Sequence, residues 1–179
     1  MKRVLIAGVG NILLGDDGVG PYVVRKLAAN YVFEDGVELE DLGTPALDFI
    51  DHITGLDALI VVDAVNNGEP AGTITLYRKE DLTRQVSGVR MDPHSPALRE
   101  SLLAAEWFGG SPKDVTLVGV SGESFSARCV LSEPVQAAVE RAMRQILIAL
   151  SRIGVGFVRQ FAESPARTWW MRKPGEVQA

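Results

Sequence analysis

Three short runs of almost uninterrupted apolar residues, Val4–Val9, Ala58–Val62 and Val115–Val120, constrain this chain more than any other feature. A strand with one face in water alternates apolar and polar side chains, so a strand apolar at every position must be covered on both faces. Helices lying on both sides of a parallel sheet provide that cover, and the pattern therefore predicts an α/β fold. Helical stretches do fall between the runs, at residues 21–31, 46–53 and 96–108. The clearest helix starts after Ser132, with Glu133 and Pro134 as a capping and first-turn sequence. Its stripe of Val135, Ala138, Val139, Ala142, Met143, Ile146, Leu147 and Leu150 keeps spacings of three or four and reads as core packing. Two less apolar strands are expected at residues 37–42 and 73–77. The length of 179 residues suits one domain. We assign it to residues 1–155, because the pattern dissolves beyond Gly154 and leaves 156–179 as a tail outside the core. In that tail Trp169, Trp170 and Met171 stand beside Arg172 and Lys173, equally suited to docking and to disorder.

Charge and cysteine content narrow the function. A net charge of −5 argues against a protein that tracks nucleic-acid phosphates. A single cysteine, Cys129, excludes an internal disulfide and any cysteine-cluster metal site, and fits a reducing cytoplasm. The apolar start resembles a signal peptide but reaches Asn11, Asp16 and Asp17 too soon, and no stretch approaches the roughly 20 apolar residues of a membrane span.

The densest chemical signal is GVGNILLGDDGVG, residues 8–20, directly after the first strand. Glycines there allow sharp turns and close approach, as in dinucleotide sites. The G-x-G-x-x-G fingerprint, however, fails at Leu13. Asp16 and Asp17 would repel a pyrophosphate, the loop carries no compensating cation, and no Walker lysine follows. A nucleotide-binding oxidoreductase is the weakest reading.

One of two adjacent loop acids is ordinarily solvated or caps the following helix. The other gains interest from Asp63, which closes IVVDAV at the C-terminal end of another strand, where open parallel sheets place their ligand sites. His94, between prolines in MDPHSPAL, adds an imidazole in a loop before a helix. Two carboxylates and one imidazole can ligate a borderline divalent metal with positions left open. His52 has no metal-motif spacing and reads as a surface or capping residue, and GVSGES around Ser121 is not a nucleophile elbow.

Together GVGNILLGDDGVG, VDAV, the DPH segment and TLVGVSGES resemble the hydrogenase maturation endopeptidases, in matching order from about Val4 to about Ile153. The resemblance implies a three-layer sandwich: a twisted, mainly parallel five-stranded sheet with helices on both faces. It implies an endopeptidase, aspartic-type by family classification, that removes a C-terminal extension from the large-subunit precursor of a nickel–iron hydrogenase after nickel insertion. The family's metal-binding and catalytic positions match Asp17, where relatives often carry glutamate, Asp63 and His94. Asp16 matches the preceding acidic position, and Asp41 in LEDLGT falls on another acidic position near the site. The nickel is carried by the substrate, and another divalent metal would substitute for it in vitro. A rival of another class is a non-hydrolytic, nickel-dependent hydrogenase assembly module, though a pure binding surface would not need all three groups.

Overall fold

The computed structural model describes residues 1–46, 48–84 and 95–160. Its main sheet contains β1 (Val4–Val9), β3 (Val37–Gly43), β4 (Ala58–Val65), β5 (Ile74–Arg78) and β6 (Asp114–Ser121), in the order β3-β1-β4-β6-β5. All neighbours are parallel except β5, which runs antiparallel to β6. Every residue of β1 and β4 is buried, as their apolar runs require.

Strand alternation divides these side chains between two cores. Val4, Ile6, Ala58, Ile60, Val62 and Ala64 pack on one face against α1 (Val19–Asn30) and the long α5 (Glu133–Arg152). Leu5, Ala7, Val9, Leu59 and Val61 pack on the other against α2 (Phe49–Ile53), α3 (Lys79–Thr83) and α4 (Ser95–Trp107). The expected sheet with helices on both faces is thus the observed fold. The stripe on α5 is buried as read, except that Leu147 is only partly covered.

Three elements were not anticipated. A 3-10 turn at Gly15–Gly18 precedes α1, α3 follows β5, and a small antiparallel ribbon joins β2 (Tyr31–Phe33) to β7 (Phe157–Arg159). The ribbon corrects the reading of residues 156–160 as tail. Tyr31, Phe33 and Phe157 cluster with ring centroids 5.9–6.3 Å apart and pack against the α1/α5 core. The Gln160 amide then bonds the Asn30 carbonyl at 2.9 Å, holding the chain at the end of α1. Trp169, Trp170 and Met171 lie outside the described residues.

Candidate active site

The first loop leaves β1 and returns through the 3-10 turn into α1 at the C-terminal end of the parallel strands. Two of its glycines let the loop close on the sheet. A Cβ at Gly8 would lie 2.6 Å from the Gly20 carbonyl oxygen, and one at Gly20 would collide with the carbonyls of Val9 and Val62. The glycine-rich pattern therefore serves close approach of backbone to backbone within the protein.

The pairing of β1 with β4 ends at Gly8 opposite Val62, one residue before Asp63. Beyond that point the 3-10 turn, which carries both loop acids, packs against β4. Asp63 is not strictly terminal: β4 continues to Val65, and Asp63 still pairs with Gly119 of β6. By alternation it belongs to the α2/α4 face with Leu59 and Val61. Asp16, Asp17 and Asp63 are 0%, 3% and 5% exposed, so three carboxylates are withdrawn from water at one end of the sheet.

Their surroundings differ. The Asp16 carboxylate accepts four hydrogen bonds from residues more than a hundred positions away. They come from the backbone amides of Glu123 at 2.8 Å, Ser124 at 2.9 Å and Ser132 at 2.6 Å, and from the Ser132 hydroxyl at 2.9 Å. Burial opposes the charge on Asp16, but these bonds outweigh it and hold the carboxyl below the usual aspartate range. Capping thus differs from the sequence reading: Ser132 is the N-cap of α5, yet its hydroxyl is given to Asp16 and makes no cap bond to its own helix. Asp16 in the first loop thus adds a negative charge at this helix start to that of Glu133 in its first turn.

Asp17 is fixed locally. Its Oδ2 accepts the Asn11 amide at 2.7 Å, while the Asn11 side chain accepts the Leu13 amide at 2.9 Å in an Asx-type turn. Asn11 is the residue that site analysis from sequence passed over individually, although an asparagine among glycines signals such a turn. Asp41, on edge strand β3, meets the Gly43 amide and Arg25, the latter at 3.3 Å. His52 pairs with Glu40 at 3.3 Å near the surface, in accord with its assignment.

His94 lies outside the described residues. Among the described residues no group of three or more His, Cys, Asp or Glu is placed to hold a metal ion. The residue after His94 begins α4, which runs on the Asp63 face and ends near Gly110, whose carbonyl accepts the Gly55 amide just before β4 starts.

Known proteins agree with this architecture. The family model for hydrogenase maturation proteases matches residues 21–149. The chain is 36% identical over 154 residues to the hydrogenase 2 maturation protease of Escherichia coli, covering 86% of this chain and 93% of that protein. It is 37% identical to the hydrogenase expression/formation protein HoxM of Azotobacter vinelandii, over 86% of this chain and 74% of that one. Among solved structures, the hydrogenase maturating endopeptidase HybD from E. coli superposes with a TM-score of 0.80 at 34% identity, covering 88% of this chain and 98% of that one. With this sheet order, this first loop and these matches, the chain belongs to the hydrogenase maturation protease family and is a peptidase.

Proposed function

We propose that this protein is the endopeptidase that removes the C-terminal extension of a nickel–iron hydrogenase large-subunit precursor once nickel has been inserted, and that Asp17, Asp63 and His94 recognise the metal. The observation that carries the reading is the burial of Asp17 and Asp63 at one end of the sheet, in a chain of this family. Carboxylates gathered at the end of a parallel sheet, where such folds place their ligands, are hard oxygen donors suited to a divalent cation arriving with the substrate. His94 completes a set of oxygen and nitrogen donors suited to a borderline metal.

Nickel here is part of the substrate. Two carboxylates and one imidazole leave coordination positions for the ligands that already hold it in the precursor, so binding energy is available only when the precursor is loaded. Metal held near the scissile bond also fixes the peptide for attack by water. Cleavage therefore reports insertion. The single cysteine suits a cytoplasmic site of action. Among the described residues no helix is long and apolar enough to cross a membrane.

The test is the mass of the cognate precursor before and after incubation with the protein, with and without nickel loading. Release of the C-terminal peptide from the loaded precursor alone is expected, with casein left intact. Efficient cutting of nickel-free precursor would overturn metal recognition and leave the peptidase standing. Tight binding of loaded precursor without release would favour the assembly-module reading.

A further inference from the structure

Beside the acids, the two loops that Asp16 joins expose apolar side chains. Leu13 and Leu14 precede the acidic turn and are 56% and 37% exposed, while Phe125 and Val130 on the facing loop are 36% and 54% exposed. These loops are stitched together: the Gly15 amide bonds the Arg128 carbonyl at 2.7 Å, the Arg128 amide bonds the Leu13 carbonyl at 3.0 Å, and the Asp16 amide bonds the Ser124 carbonyl at 2.9 Å. Leu14 and Arg128 form a parallel bridge. Two glycines permit the contact. A Cβ at Gly15 would lie 2.5 Å from the Ser124 carbonyl, and one at Gly122 would lie 2.6 Å from the Phe125 ring and 3.3 Å from the Asp16 side chain.

Exposed leucine and phenylalanine on a mobile loop would be an aggregation hazard; on a backbone held this firmly they are a surface whose ordering cost is met before binding. We infer that Leu13, Leu14, Phe125 and Val130 form a docking lip for an apolar segment of the precursor next to its cleavage site. The inference rests on the proteolytic reading above. Position selects the occupant: the lip is continuous with the acidic turn, Leu14 being three residues from Asp17, so a protein chain cut at that turn must pass over it. A second copy seated here would cover the acidic turn that the precursor has to reach. Exposed Glu123, Ser126 and Arg128 give the lip the polar surround typical of a protein interface.

The experiment compares kcat and KM for cleavage of nickel-loaded precursor by wild type, Leu13→Ser/Leu14→Ser/Val130→Ser, Phe125→Ser, and the remote control Trp107→Ser/Phe108→Ser, whose residues are 87% and 78% exposed. Both lip variants should raise KM by about tenfold or more with kcat within about twofold, and the control should match wild type. Melting temperatures check that each variant is folded. Unchanged KM in the lip variants, an equal rise in the control, or a wild-type dimer that the lip variants dissociate would overturn the proposal. Wild-type protein that leaves the loaded precursor whole would overturn the proteolytic reading, and the lip's role in it, before any variant is compared.

Discussion

The junction at Asp16 and the strand end at Asp17 and Asp63 are neighbours built for opposite purposes. At the junction every oxygen of a buried carboxylate is engaged, by four donors from a distant part of the chain. One residue on, Asp17 is steadied by a local amide at the mouth of β1 and β4. Both are acids in one dipeptide, so their difference comes from what the fold brings to each. The lesson is that two acids of one loop can be held by different parts of the chain, one by a distant loop and helix start and the other by its own loop.

The largest effects should come from the strand end and should be on catalysis. Asp17→Asn, Asp63→Asn and His94→Ala are each expected to cut precursor processing by about a thousandfold or more, since under the proposed function each removes a donor or a charge that holds the metal. Denaturant titration should show the fold retained. Processing at the native rate by any of them would remove that residue from the site. The isosteric Asp63→Asn is the cleaner choice because Asp63 is buried within β4, where a truncation would also leave a cavity.

At the junction the effect should be on stability. Asp16→Ala strands four donors in or near the core and is expected to cost about 3 kcal/mol or more in unfolding free energy, read by urea titration. A loss below about 1 kcal/mol would show that water replaces the carboxylate easily and that the contrast between the two acids is overdrawn.

This contrast also marks what could be read from the sequence. The central parallel strands were legible because their short, nearly unbroken apolar runs call for cover on both faces, and α5 because its stripe keeps helical spacing from Val135 to Leu150. Asp17 was legible as an acid of the glycine-rich loop and Asp63 as an acid near the end of a strand. The role of Asp16 was not, because its partners are 107 to 116 positions away and three of its four bonds come from amides and not from side chains with a signature. The β2/β7 ribbon was missed for a related reason: three-residue strands carry too little pattern, and Phe157 is read as core only when Tyr31 and Phe33 are set beside it.

A smaller effect should follow pH. The Asp16 carboxyl is held below its unfolded value of about 3.9, so its contribution is fully present above that pH and is lost as pH falls through the lower folded value. Asp16→Asn should therefore show a shallower loss of stability with acid than wild type, compared by melting temperature between pH 6 and the acid limit of folding. Parallel curves would show that the junction does not depend on the charge.

The smallest effect should come from lengthening Asp17. Glutamate keeps the charge and moves the carboxylate outward by about 1.5 Å, the length of one carbon–carbon bond. At position 17 the change disturbs the local bond to Asn11, and an incoming cation carried on a flexible peptide can adjust to the new position. Asp17→Glu should accordingly process precursor within a few-fold of wild type, with stability changed by less than about 1 kcal/mol. The same change at Asp16 meets donors fixed in one loop and a helix start, neither of which can follow, so Asp16→Glu should lose about 2 kcal/mol of stability by overpacking and broken bonds. The pair of variants, assayed together by rate and by urea midpoint, asks whether tolerance to an extra methylene separates the two acids. If Asp17→Glu failed as completely as Asp17→Asn, reach and not charge would set the requirement at the strand end, and both acids would be positions of fixed geometry.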